Sequence, residues 1–120
     1  MYPTPTLFAT PGLRDFAQAV DAERQRQLER WGDQRHPDGT GQPGDWETAD
    51  LARRHCQAMS AAGLVTWRDI VWEEAAEAFA ETDPERLAAE LIQLASLCQA
   101  WVVALSARVG RDLTAPGRPS

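Results

Sequence analysis

Leu87, Leu91, Leu94, Cys98, Trp101 and Leu105 alternate four and three residues apart. This spacing makes an apolar seam along one face of a long helix, and other helices must cover such a seam. The seam begins just after Thr82-Asp83-Pro84, where Pro84 suits a first helical position because its missing N–H is not needed there. Upstream, Thr66 is an N-cap residue with Asp69 three positions on, a shortened capping box. The helix it opens carries Ile70, Val71, Ala75, Ala78 and Phe79 on one side. A link as short as Asp83-Pro84 forces these two helices to lie antiparallel. The seam helix is expected to run to about Val109.

Two further helices precede this pair. Leu13 to Trp31 carries Phe16, Ala17 and Val20 at helical spacing, then turns mostly polar from Asp21 to Arg30 with Leu28 as an apolar exception, and stops at Gly32. The stretch Gly32 to Asp45 holds four glycines and two prolines in fourteen residues, which excludes regular structure. The next helix is expected from near Glu47 to near Gly63, with Leu51 and Met59 among its buried positions. With no convincing strand, the chain reads as an all-α four-helix bundle occupying residues 13–109 as a single domain. Residues 1–12 read as a flexible arm and 110–120 as a disordered tail.

The length of 120 residues fits one domain with a core of useful size. The net charge is −6 and all twelve basic residues are arginine. Without a cationic face the chain is a poor binder of nucleic acid polymers, but a single nucleotide remains within reach if a metal supplies the positive charge. No run of apolar residues approaches the roughly 20 needed to span a bilayer. Met1 to Gly12 has three prolines and no basic region, unlike a signal peptide, so no membrane association and a cytoplasmic location are expected. Cys56 and Cys98 lack metal-ligand spacing, and Cys98 reads as a small buried member of the seam.

Chemistry concentrates at Glu73-Glu74-Ala75-Ala76-Glu77, with Glu81 one turn further. Glu74, Glu77 and Glu81 stand at i, i+3 and i+7, so their side chains crowd neighbouring strips of one helix. Like charges so placed cost about 0.2–0.5 kcal/mol per pair. Glu73 to Glu90 holds seven of the eighteen acidic groups and one arginine, Arg86. The helical hairpin can bring Glu74 and Glu77 to face Glu90, with Gln93 three residues beyond it. Carboxylates converging there are costly unless a cation neutralises them, and hard oxygen donors select Mg2+ or Mn2+. The opposing reading of any glutamate run is a solvated helix face; the flanking alanines, small enough to admit a second helix, argue against it here.

Glu74-Ala75-Ala76-Glu77 followed by Glu90-Leu91-Ile92-Gln93 resembles the Glu-x-x-Glu and Glu-x-x-Asp signature of the MazG-like all-α nucleoside triphosphate pyrophosphohydrolases, and Glu73 completes the Glu-Glu-x-x-Glu form. Arg30-Trp31-Gly32-Asp33-Gln34-Arg35-His36-Pro37-Asp38-Gly39 is similar to a segment of an actinobacterial and phage branch of that superfamily. The resemblance spans roughly Glu23 to Leu105. It implies Mg2+ ligation by Glu74, Glu77 and Glu90, with Glu73 holding or deprotonating the attacking water or standing behind the metal ligands. It also implies hydrolysis of a nucleoside triphosphate to monophosphate and pyrophosphate, a reaction suited to nucleotide-pool house-cleaning. Gln93 departs from the signature: its amide oxygen can meet a hard cation but lacks the charge of aspartate. One metal instead of two, a water-mediated contact and lost activity are all compatible with it.

On the same resemblance, a cleft at the end of the first helix and the glycine-rich loop is expected to hold the nucleoside. Trp31 would stack on the base, with Gln27, Gln34 and His36 as polar contacts and Arg30 or Arg35 on the phosphates. The plainer alternatives are a core aromatic for Trp31 and an exposed loop histidine for His36. A small chain with a long seam and five tryptophans is expected to oligomerise to finish its core, and the resemblance implies a homodimer or homotetramer. A carboxylate-bridged di-iron bundle is disfavoured because neither His36 nor His55 stands three residues after a helical glutamate. A non-catalytic relative that binds nucleotide or a partner protein is the main alternative.

Overall fold

A computed structural model describes residues 8–115; residues 1–7 of the expected arm and 116–120 of the expected tail lie outside it. The described residues form four helices and no strand: α1 Leu13–Trp31, α2 Asp45–Ala61, α3 Trp67–Ala80 and α4 Pro84–Val109. The chain is thus all-α, with the boundaries of α1 and α4 where the sequence placed them.

Helix α3 begins on a full capping box. The Thr66 hydroxyl accepts from the Asp69 N–H at 3.2 Å, and the Asp69 carboxylate accepts from the Thr66 N–H at 3.0 Å. The Asp83 carboxylate accepts from the Arg86 N–H at 3.0 Å and so caps the start of α4. Helices α3 and α4 run antiparallel. Trp67 at the start of α3 stacks on Trp101 far along α4, ring centres 6.3 Å apart, while Glu74 and Glu77 meet Glu90 near the start of α4.

The described residues divide into two compact units, residues 37–101 and residues 8–36 with 102–115. In the first, α2 packs along α3 through the smallest side chains available. Ala49, Ala52, Ala76 and Ala80 are buried to 4 % exposure or less and form the core cluster. Of the expected buried positions, Leu51 is instead 55 % exposed and Met59 is half-buried, and Phe79 is 62 % exposed. A helix pair drawn close by alanines leaves no room for Leu51 and Phe79 at the seam, so they point outward. Cys98 is only half-buried, and the buried thiol is Cys56.

The glycine-rich loop also has a structural task. Gly41, at φ 77°, donates its N–H to the Phe79 carbonyl at 2.8 Å, satisfying an acceptor that the end of α3 leaves open. A Cβ on Gly41 would stand 2.3 Å from the Thr82 methyl carbon, so only glycine fits this approach.

In the second unit α1 buries none of its residues. Its exposed surface is laced by pairs within the helix: Arg26 with Glu23, Arg24 with Gln27, and Gln25 with Asp21. Beyond Gly110 the chain turns back on α4, where the Leu113 N–H donates to the Ser106 hydroxyl at 3.1 Å. Gly12, Asp15, Phe16, Val102, Ser106 and Thr114 line an open cleft of about 250 Å3 in this unit.

Helix α4 is 26 residues long and contains an 18-residue stretch of mean hydropathy 1.5, of which 6 % is buried. By length and mean composition it would reach across a bilayer, although no unbroken apolar run of that length exists in the sequence. Its Trp101, stacked on Trp67, ties it to α3.

Candidate metal centre

Helix α3 presents two acidic strips, and its neighbours treat them differently. Asp69, Glu73 and Glu77 recur every four residues and face α2, where each has its own partner. Asp69 binds the His55 ring nitrogen at 3.0 Å, and His55 sets its ring edge-on to Trp72 with centres 5.8 Å apart. The N–H of Thr66, more than any other group, holds the Asp69 carboxyl below its ordinary value. Glu73 is hydrogen-bonded to the buried Cys56 thiol. Burial first, then that bond and the nearby charges of Glu73, Asp69 and Glu74, push the thiol up to about 11. Such a thiol stays protonated at neutral pH and is no nucleophile. Glu77 has Arg53 of α2 at 3.9 Å.

The second strip faces α4. One carboxylate oxygen from each of Glu74, Glu77 and Glu90 can be chosen so that all three lie within 4.8 Å of one another. All three side chains are partly buried. Oε2 of Glu74 and Oε2 of Glu90 are shielded from solvent and have no hydrogen-bond partner. Burial is the largest cause that pushes the Glu74 carboxyl up to about 7, followed by the charges of Glu77, Glu90 and Glu73. Glu77 is also raised, chiefly by burial and then by Glu90 and Glu73, with Arg53 pulling the other way. Removed from water and crowded by like charge, Glu74 and Glu77 hold a proton more firmly than a free carboxyl does.

The donor set fits a small hard cation. All donors are carboxylate oxygens, which suit Mg2+ and Mn2+ and not thiolate- or imidazole-preferring metals. Oxygens on one octahedral Mg2+ at about 2.1 Å stand roughly 3 Å apart when adjacent and roughly 4.2 Å when opposite. A span of 4.8 Å closes to that range by small side-chain rotations. Two shielded oxygens without a donor are the groups such a cation would satisfy.

Of the residues expected here from sequence, Glu74, Glu77 and Glu90 converge. Glu73 lies beside them, turned to Cys56. Gln93 is exposed one turn beyond Glu90, and its backbone carbonyl accepts from the Ser96 hydroxyl. The five expected substrate contacts, Gln27, Arg30, Trp31, Gln34 and His36, all belong to the other compact unit. Within it they make local contacts. The Arg30 guanidinium lies 4.9 Å from the centre of the Trp31 ring, and His36 is 3.3 Å from the Gln34 side chain. Gln27 accepts from Arg24 at 2.6 Å. Trp31 is 57 % exposed and no core residue of this chain.

Sequence reasoning passed over Arg53 and the His55–Asp69 pair. Arg53 and His55 stand on α2, whose facing strip is visible only once Ala49, Ala52 and Cys56 are recognised as the buried line. His55, Arg68, Asp69 and Trp72 line an open cleft of about 450 Å3 on that side. No protein-family model, no curated protein and no solved structure matches this chain.

Proposed function

We propose that this protein is a divalent-metal-dependent nucleoside triphosphate pyrophosphohydrolase, converting a nucleoside triphosphate and water to the monophosphate and pyrophosphate. The observation that carries the reading is the meeting of Glu74, Glu77 and Glu90 across α3 and α4, with two shielded oxygens left without a partner. The resemblance of these residues to the MazG-like signature supplies the reaction class.

In this reading Glu74, Glu77 and Glu90 hold Mg2+, with Mn2+ as a substitute. When bound, the cation neutralises phosphate charge and acidifies water. Glu73, beside the cluster on the same helix, accepts a proton from the attacking water. The water oxygen bonds to the α-phosphorus, the α–β bridging bond breaks, and pyrophosphate leaves with its electron pair. A cytoplasmic enzyme of this kind would police the nucleotide pool.

We also assign a homodimer or homotetramer. No large side chain is fully buried among the described residues, while Trp46, Leu51, Phe79, Leu91 and Ile92 stand at 49 % exposure or more. A second copy that covers them would finish the core.

The test is pyrophosphate release from a panel of standard and modified nucleoside triphosphates with Mg2+, with Mn2+ and with EDTA. Metal-dependent pyrophosphate with matching monophosphate is expected. Exposed Gln93, at the position where the signature carries aspartate, favours one second reading, a relative that binds nucleotide without turnover. Silence across the panel from folded protein that still binds nucleotide would establish it.

A further inference from the structure

We propose that Arg53 of α2 is a phosphate-binding residue, donating its guanidinium N–H groups to the triphosphate as it meets the carboxylate cluster. The inference rests on the metal-dependent reading above and adds to it the residue that completes the charge balance. Three carboxylates and one divalent cation sum to −1, and a triphosphate brings about four more negative charges. Such a site needs further positive charge to hold its substrate. Among the described residues, Arg53 is the basic side chain within 4 Å of the cluster, its Nε standing 3.9 Å from Glu77 Oε1.

Arg53 is placed near its acidic neighbours without being consumed by them. Its second contact, to Asp50, is 3.6 Å, and neither distance reaches the 2.7–3.2 Å of a formed N–H···O bond. Asp50 is already engaged by Arg54 at 3.0 Å. The Arg53 side chain is 41 % exposed, so its planar fork of donors is open to a ligand from solvent and matches phosphate geometry. A cation that draws in the Glu77 carboxylate would loosen the one contact Arg53 has with the cluster and free it for the phosphates.

The experiment uses the whole chain and two probes, Mn2+ alone and inorganic tripolyphosphate added after Mn2+, with Arg53→Met and Arg53→Lys compared to the parent by calorimetry. Arg53→Met is expected to bind Mn2+ as tightly as the parent or more tightly, since a competitor for Glu77 is gone. Its tripolyphosphate affinity should fall about 10- to 100-fold, the range of a lost charge-assisted hydrogen bond. Arg53→Lys should recover part of that loss. Unchanged tripolyphosphate binding in Arg53→Met, or a parallel loss of Mn2+ binding, would overturn the role of Arg53 and leave the metal reading standing. A parent protein that binds Mn2+ but no tripolyphosphate would overturn it as well. Failure of the parent to bind Mn2+ would overturn the metal reading and this inference together.

Discussion

The two flanks of α3 carry the same residue type to opposite ends. Towards α2 each acid has a partner: Asp69 has His55, Glu73 has Cys56 and Glu77 has Arg53. Four alanines hold that seam closed. Towards α4, Glu74 and Glu90 bring shielded oxygens together with nothing to donate to them. An acid that is partnered contributes to the fold, whereas crowded acids without partners are stabilised only by a proton or a metal. Glu77 belongs to both flanks, and the function proposed here depends on which of its roles dominates.

Substitution at Glu77 breaks the comparison most sharply. Glu77→Gln should reduce pyrophosphate release by about a hundredfold to a thousandfold or more, the scale of losing one charge-stabilising group, while circular dichroism stays helical. In metal-free buffer its melting temperature should hold or rise, because a repulsive charge is gone. A collapse of folding would instead make the Arg53 contact the main role of Glu77.

Next in size is the α2 flank, where Ala76→Leu should cost about 1–3 kcal/mol by overpacking. Denaturant unfolding would register it, and a neutral result would deny that the alanine seam is tight.

The raised carboxyl gives the α4 flank a pH signature. Glu74 titrates near 7 in the folded chain against an ordinary 4.5, so the folded state holds the proton more firmly. Its contribution to stability is full below about pH 4.5 and is lost as pH rises through about 7. Metal-free protein should therefore lose melting temperature across that window, and Glu74→Gln should flatten the loss. Saturating Mg2+ should reverse it on the alkaline side, by about 2.7 kcal/mol at a hundred times the dissociation constant. A melting temperature that is flat with pH and indifferent to Mg2+ would place these carboxylates in ordinary solvent.

Thr66→Ala removes the cap that sets the register of both strips. It should cost about 1 kcal/mol, with metal affinity nearly unchanged. The smallest effect is expected from Gln93→Asp: its exposed side chain should leave Mn2+ affinity as it is, and tighter binding would put residue 93 on the cation.

Helix ends and carboxylates were legible in the sequence because they are written locally. Pro84, Thr66 and Asp69 mark boundaries by their own backbone chemistry, and Glu74, Glu77 and Glu90 need only helical spacing and one short turn to meet. The α2 flank was obscure because its partners sit far apart along the chain and include residues with no acidic or apolar periodicity of their own. Arg53 becomes meaningful only when Ala52 and Cys56 define which side of α2 is inward. Leu51 was misplaced for the same reason: hydrophobicity suggested burial, while the closeness set by alanines excluded it.

Titrating Mn2+ into metal-free protein near pH 8 by calorimetry tests the central claim most directly. Saturable binding that is lost in Glu74→Gln and in Glu90→Gln, with both variants still folded, is the predicted result. Folded protein that binds no Mn2+, or that binds it equally well in both variants, would contradict a metal centre between α3 and α4.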